Sequence, residues 1–256
     1  MPTAGSSRFA LAICGRQPIS LPTSKRLPLP RTDPATPPQL SFTSAERRIV
    51  ERLRTPLAVQ RWLNSLPYNN EQHGETLRSF RGVVRHGAAH CLEAALSAAV
   101  ILEQHRYPPL VLSFESIDLL DHVIFVYRGP HGWGSVARSR DPGLHGRKPV
   151  FATPRALALS YFDPYIDFTG CIKAYTVVDL RVLGDYDWRL STTNIWKVER
   201  MLLEWPHRRI NWSKAREERW RARYRAFRDA HDYKPWRFYP RRDRWTELPD
   251  HVRRRG

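Results

Sequence analysis

The hydrophobic pattern divides this chain into three zones. Residues 1–40 carry eight prolines and few periodic apolar residues, which predicts a disordered segment. Residues 41–206 follow helix and strand periods, so we expect them to form the folded core. Residues 207–256 are rich in arginine and aromatic residues, and their spacing predicts a helical, basic C-terminal extension.

The strongest helical pattern begins at Cys91. Apolar residues follow this cysteine, and neither glycine nor proline interrupts the run before Pro108, which predicts a helix buried on most sides. Weaker helical patterns are predicted from Thr43 or Ser44, from Thr55-Pro56, over residues 154–165 and over residues 195–203.

Strand patterns follow this helix. Residues 122–127 are β-branched and aromatic, residues 128–132 have the composition of a hairpin turn, and residues 133–138 are typical of a returning strand. A further strand is predicted over residues 170–180, and a glycine-containing loop over residues 142–151. Together these elements predict an α+β fold in which the helix that begins at Cys91 packs on an antiparallel sheet.

Cys91 and His122 are the residues best placed for chemistry. A thiolate attacks carbonyl carbons, and its pKa falls near a helix N-terminus or beside an imidazolium ion. Cys91 occupies a predicted helix start, and the Cys91 N–H could contribute to an oxyanion hole. His122 opens a predicted strand, where it can serve as the base.

Asp141 is the candidate for orienting the imidazole. It follows the returning strand of the predicted hairpin and is the only carboxylate there, so it can approach a base on the first strand. Ser139 is the substitute. Tyr68, Asn69 and His90 are further candidates for a substrate cleft, with a surface turn or a helix cap as the alternative role.

These segments resemble the transglutaminase-like superfamily, the papain-like enzymes with Cys–His–Asp order. The resemblance covers about a quarter of the chain. It implies a papain-like core, no cofactor, and covalent acyl transfer by Cys91, His122 and Asp141 on a peptide or amide substrate. The segments that carry it are Ala89-His90-Cys91, the apolar helix through Leu102, Arg106-Tyr107-Pro108, Asp121-His122-Val123 and residues 133–141.

Two positions depart from the family pattern. Arg106 stands where the family has glycine before the proline turn, and the segment between Trp133 and Asp141 is longer than the usual strand end. We expect one of the bacterial branches of the superfamily rather than a protein-crosslinking transglutaminase.

Other roles for the same residues stay open. A cysteine in an alanine-rich helix is often a small buried hydrophobic residue. A fold can also persist in proteins that have lost the catalytic activity, so a catalytically inactive scaffold is one alternative. Zinc is another, because histidines are plentiful, but no Cys-x-x-Cys or His-Glu-x-x-His motif occurs, and we expect no metal.

The charge of the chain suggests a third alternative. The net charge is +17, and residues 207–256 hold 17 Lys or Arg against 7 Asp or Glu. Basic residues interleaved with aromatic residues can bind nucleic acid or another anionic partner weakly and without specificity. The competing interpretation is that Trp220, Tyr224 and Phe227, at helical spacing, attach the extension to the core.

The cysteine count and the length of the apolar stretches narrow where in the cell we expect the protein. Three cysteines form no disulfide framework, and no apolar stretch approaches the roughly 20 residues of a membrane span. We therefore expect a cytoplasmic protein that does not enter a membrane.

Overall fold

The protein is described by a computed structural model that covers residues 33–118, 121–233 and 241–246. It is an α+β protein in which helices pack on a six-stranded antiparallel open sheet. The predicted fold class is confirmed at this level.

Helices and strands alternate irregularly along the chain. The helices are α1 (Ser44–Arg52), α2 (Pro56–Ser65), α3 (Phe80–His86), α4 (Cys91–Glu103), α5 (Pro154–Leu159), α6 (Phe162–Tyr165), α7 (Trp196–Glu204) and α8 (Lys214–Ala230). The strands are β1 (Leu110–Ser116), β2 (His122–Gly129), β3 (Gly132–Val136), β4 (Arg147–Phe151), β5 (Ile172–Asp179) and β6 (Arg208–Arg209).

The sheet has the order β4-β3-β2-β1-β5-β6, with every neighbouring pair antiparallel. β2 and β3 form the predicted hairpin, in which Gly129 pairs with Gly132. β1 and β2 pair so that Phe114 lies opposite His122. The start of β2 therefore lies at the same end of the sheet as the last residues of β1.

A separate apolar core covers each face of the sheet. The first core joins α1 to α4 and α7 to one face and includes the apolar side chains of α4 from Leu92 to Leu102. The second core lies on the other face and joins α5 and α6 to the sheet. α4 packs on β1 and β2, so the helix that begins at Cys91 crosses the centre of the sheet.

The helix starts predicted at Thr43 or Ser44 and at Thr55-Pro56 are confirmed, and each has a local reason. Thr43 caps α1 through a reciprocal capping box with Glu46, and Thr55 caps α2 with Pro56 in the first turn. The prediction over residues 154–165 is partly wrong, because α5 and α6 are two short helices rather than one.

The loop predicted over residues 142–151 is also partly wrong. Residues 142–144 form a single 3₁₀ turn, and Arg147–Phe151 form the edge strand β4, which pairs with β3. Alternate residues of β4 face the second core, so a short and partly polar strand carries too few apolar residues to be recognised from its pattern.

The two terminal zones are described in part. Of residues 1–40, those from 33 onward lie against the end of α4, where the Ala35 N–H donates to the Arg106 carbonyl oxygen (3.1 Å) and the Ala35 side chain is buried. The disorder predicted for residues 1–32 lies outside the described residues. Within residues 207–256, α8 has no buried residue and contacts the second core through Trp220. Trp212, which precedes α8, packs on the same core, and Trp245 is buried.

Candidate active site

Cys91 is the first residue of α4. The preceding residue, His90, caps the helix, because its Nδ1 accepts the Leu92 N–H (3.3 Å). In the same capping box, the Glu93 Oε2 accepts the His90 N–H (3.0 Å). The Cys91 side chain is half-buried. The predicted position of this cysteine at the positive end of a buried helix is confirmed.

Two imidazoles flank the sulfur. The rings of His122 and His90 are both within hydrogen-bonding reach of the Cys91 thiol. Burial works against a thiolate, but these hydrogen bonds and the charges on the two rings outweigh it and hold the pKa of Cys91 well below its ordinary value. The other described cysteine, Cys171, behaves in the opposite way, because burial raises its pKa to about 12.

His122 begins β2, as predicted, and is held on several sides. Its ring stacks parallel to Phe114, with centroids 6.2 Å apart, and leans on Tyr161. Its Nε2 lies 3.1 Å from the Leu144 carbonyl oxygen. An Nε2–H that donates to this carbonyl leaves Nδ1 with its lone pair, which is the tautomer that a base requires.

Asp141 stands at the start of the turn that carries the Leu144 carbonyl. Its Oδ1 accepts the Gly143 N–H (2.7 Å) and begins the 3₁₀ turn that ends at Leu144. Asp141 thereby shapes the turn that carries the histidine's acceptor. A direct bond between the Asp141 carboxylate and the His122 ring stays a prediction. The substitute, Ser139, accepts the Asp141 N–H at Oγ (3.1 Å).

Arg147 stabilises the turn that carries the Leu144 carbonyl. Its guanidinium is fully buried and donates to the carbonyl oxygens of His145 and Gly143, at 2.6 Å each. It lies between two aromatic rings, 4.1 Å from the centroid of Tyr161 and 4.4 Å from that of Trp245. The carbonyls on either side of Leu144 are therefore fixed by one cation.

Glu93 organises the other half of the site. The carboxylate is fully buried, and each of its oxygens accepts two bonds. Oε1 accepts from the Thr76 hydroxyl and the Arg78 N–H, and Oε2 accepts from the Asn69 amide and the His90 N–H, all at 2.9–3.1 Å. Glu93 thus joins the loop around Asn69 to the start of α4. The predicted cleft residue Asn69 is brought close to the site in a supporting position.

Tyr68 touches the nucleophile directly. The loop before α3 pairs with Ala89 at Tyr68, which places the phenol beside the Cys91 backbone N–H and thiol. Burial and the nearby Cys91 thiolate raise the pKa of Tyr68, so the hydroxyl keeps its proton. The phenol therefore lies beside the N–H predicted for an oxyanion hole and has a proton that it can donate.

His90 is both a cap and a candidate cation. Burial opposes its charge, but hydrogen bonding to Cys91 and the carboxylate of Glu93 raise the pKa of His90 to about 9. A charged ring has hydrogens on both nitrogens, so the ion pair with the thiolate and the cap bond from Leu92 exclude each other at any one moment.

Sequence reasoning missed Arg147, His145 and Gln60. His145 is buried, and burial together with the charge of Arg138 lowers its pKa to about 3. Gln60 bonds both the N–H and the carbonyl of Ala137, which extends the end of β3. The one sequence signal was Gly146, where a Cβ would lie 2.3 Å from the Gln60 Oε1, so the turn before Arg147 has no room for a side chain.

No group of three or more metal-ligating side chains occurs within residues 33–118, 121–233 and 241–246. In those same ranges no helix combines the length and the apolar character needed to cross a membrane. A scan against models of protein families gives no match, and no curated protein is similar enough to count as a relative.

The arrangement contains the kinds of group that nucleophilic chemistry uses. It combines a low-pKa thiol at a helix N-terminus, an imidazole whose Nε2 lies against a backbone carbonyl, and a protonated phenol, with the imidazole and the phenol both acting on Cys91. These are the parts needed to attack a carbonyl, move a proton and stabilise an oxyanion.

Proposed function

We propose that this protein is a cysteine-nucleophile acyl-transfer enzyme of the transglutaminase-like type. The observation that carries the proposal is the placement of Cys91. Its thiol begins a buried helix and meets His122, whose far nitrogen is bonded to a backbone carbonyl. Buried structural cysteines have raised pKa values, as Cys171 does, whereas the pKa of Cys91 is lowered.

The reaction has two halves. The Cys91 thiolate attacks an amide or ester carbonyl carbon, and the oxygen that becomes negative is stabilised by the Cys91 N–H and the Tyr68 hydroxyl. The His122 imidazolium gives its proton to the leaving amine or alcohol, and a thioester forms. Neutral His122 then takes a proton from water or from an incoming amine, which releases the acid or the transferred acyl product.

Arg106 supports the family resemblance at a position where the sequence departs from it. The helix α4 ends in a Schellman motif, with the Tyr107 N–H bonded to the Leu102 carbonyl and the Arg106 N–H bonded to the Glu103 carbonyl. Arg106 occupies the left-handed position of this motif, at φ 67°. The family pattern has glycine there, and the backbone of this chain adopts the conformation that glycine favours.

The third catalytic member is where this chain would differ from the family pattern. The lengthened segment after Trp133 carries Asp141 into a 3₁₀ turn, and the Leu144 carbonyl takes the place beside His122. A neutral acceptor still fixes the tautomer, but it stabilises the imidazolium less than a carboxylate does.

Binding of an anionic partner by the C-terminal extension stays the alternative. Arg216 and Arg221 on α8 bond to Asp163 and to the Asp167 carbonyl, which favours attachment of the helix to the core. Arg219 and Arg225 on the same helix are exposed. A binding function would show as affinity for an anionic polymer that falls steeply with salt and that survives Cys91→Ala.

The test of the enzyme proposal is the rate of iodoacetamide alkylation at Cys91 from pH 5 to 10, followed by mass spectrometry. Because the pKa of Cys91 is depressed, the thiolate persists as the pH falls, and the rate at pH 6.5 should be close to its plateau. An ordinary thiol with a pKa of about 8.5 would react roughly a hundredfold below its plateau there. Cys171, in the same sample, is the internal reference.

Two variants assign the roles of the imidazoles. His122→Ala should shift the Cys91 profile toward higher pH and abolish turnover of activated acyl esters, whereas His90→Asn keeps a helix cap and should retain turnover. A Cys91 profile that rises through pH 8.5 in the unmodified protein, together with no acyl-enzyme detectable by mass, would contradict the proposal.

A further inference from the structure

One buried arginine near the site lacks a carboxylate partner. Arg138 is only 6% exposed, and its Nη2 donates to the Leu66 carbonyl oxygen (2.9 Å), while its buried Nε has no hydrogen-bond partner. None of the ion pairs found among residues 33–118, 121–233 and 241–246 involves Arg138. Keeping a guanidinium in a buried place without an anion is costly.

Arg138 does not stand alone. Its guanidinium lies 5.8 Å from the centroid of the Tyr68 ring, and the guanidinium of Arg140 lies 5.7 Å from the same centroid. Arg140 is exposed. The Tyr68 ring that both guanidiniums approach lies beside Cys91. One solvent-facing cation and one buried cation therefore share a phenol ring that touches the nucleophile.

Three carboxylates lie near His90. Glu71 is 4.0 Å and Glu93 is 3.6 Å from the His90 Nε2, and Glu199 is within electrostatic reach of His90. Near Arg138, in contrast, the titratable neighbours are Tyr68 and His145, which are both neutral. Glu71 also acts on Tyr68, so the positive charge beside the Tyr68 ring comes from Arg138 and Arg140, whereas Glu71, Glu93 and Glu199 surround His90.

We infer that the surface beside Cys91 takes an acyl group that bears a carboxylate, with Arg140 and Arg138 as the residues that select it. This inference rests on the proposed acyl-transfer function and names its substrate class. An incoming carboxylate would meet Arg140 first and would supply the anion that Arg138 lacks, while the carbonyl carbon faces the sulfur. Acidic side chains of peptides and dicarboxylic half-amides have this chemistry.

The experiment compares iodoacetate with iodoacetamide as alkylating agents of the full-length protein. In both reactions the thiolate forms a C–S bond and iodide leaves, and the reagents differ only in a carboxylate against a neutral amide. The readout is the ratio of the two rate constants at Cys91, read by mass spectrometry at a pH on the plateau of thiolate formation. Using a ratio cancels any change in the fraction of thiolate.

The ratio should exceed that of a free cysteine derivative in the same buffer. Arg140→Gln changes an exposed position and should lower the ratio about three- to tenfold. Arg138→Lys keeps the charge but loses the planar guanidinium, and it should lower the ratio to a smaller extent. The control is Arg128→Gln, an exposed arginine at the opposite end of β2 from His122, which changes the net charge equally. That control should leave the ratio unchanged.

Two outcomes overturn the inference. An equal fall in Arg128→Gln and Arg140→Gln would mean that the overall positive field attracts iodoacetate, and an unchanged ratio in both arginine variants would mean that no anion site exists. Failure of the enzyme proposal appears separately, as slow iodoacetamide alkylation near neutral pH. The ratio can still be measured at high pH, where any thiol is ionised.

Discussion

Glu93 and Arg147 are both fully buried, and each organises one half of the site in its own way. The carboxylate of Glu93 collects N–H and O–H donors from the loop before α3 and from the start of α4. The guanidinium of Arg147 collects carbonyl oxygens from the turn beside His122. The nucleophile is thus held by a buried anion and the base by a buried cation.

The difference follows from which backbone groups each half must expose. A helix start has spare N–H groups, so an acceptor-only carboxylate is suited to hold the loop that surrounds it. A turn that offers a carbonyl to a histidine has neighbouring carbonyls directed inward, so a donor-only guanidinium is suited to hold it. The sign of the buried charge therefore matches the polarity of the backbone that it fixes.

Replacing the cation should have the largest effect on this arrangement. We expect Arg147→Met to lower the free energy of unfolding by about 3–4 kcal/mol, because buried carbonyl oxygens lose their donors, and to shift the Cys91 alkylation profile toward ordinary thiol pH. Urea unfolding and the alkylation series measure the two effects.

Arg189→Met is the matched control for this variant. Arg189 also stacks on an indole, 4.3 Å from the Trp188 centroid, and bonds the buried carboxylate of Glu103 at both oxygens. It should lower stability without changing the alkylation profile. If both variants change the profile alike, the special role of Arg147 is wrong.

Neutralising the anion should have a smaller effect. Glu93→Gln keeps the shape but turns an amide N–H₂ toward two of the four donors, so we expect a loss of about 2–3 kcal/mol in the free energy of unfolding. The pKa of His90 should fall, since Glu93 helps to raise it. NMR titration of the His90 ring checks this shift.

The partner experiment is Glu103→Gln at the other end of α4, where the carboxylate is 2% exposed. It should cost similar stability and leave His90 unchanged. An equal pKa shift of His90 in both variants would mean that the net charge of the helix, and not the contact with Glu93, sets that pKa.

The smallest effect is expected at Arg106, which lies far from both Glu93 and Arg147. Arg106→Gly places the residue without a Cβ in the left-handed position that ends α4, and we expect a gain of about 0.5–1 kcal/mol in the free energy of unfolding. The Cys91 profile should not move. Arg85→Gly, inside α3 and also exposed, should instead lose about 1 kcal/mol, and a loss at both positions would show that Arg106 is not strained.

The elements that the sequence predicted best are those whose pattern is local. The start of α4 at Cys91, the start of β2 at His122 and the β2–β3 hairpin follow from uninterrupted apolar runs and turn residues. The short strand β4 and the break between α5 and α6 were missed, because few residues carry their periodic signal.

The supporting residues could not be predicted from spacing. Arg147 lies 25 positions after His122 and acts through the carbonyls of a turn, so no motif links the two. Glu93 was noticed as a charge that could oppose the thiolate, and the structure shows its oxygens bonded to four donors around it. Such contacts depend on tertiary geometry, which a single sequence does not encode locally.

The low pKa of Cys91 also determines how the protein responds to oxidants. A half-buried thiolate reacts with peroxide to give a sulfenic acid, and a neighbouring thiol can then capture this state as a disulfide. Among the described residues the other cysteine, Cys171, is buried in the second core, on the far side of the sheet from α4. Where no thiol captures the sulfenic acid, continued exposure to peroxide converts the sulfur to sulfinic acid, which thiol reductants do not reverse.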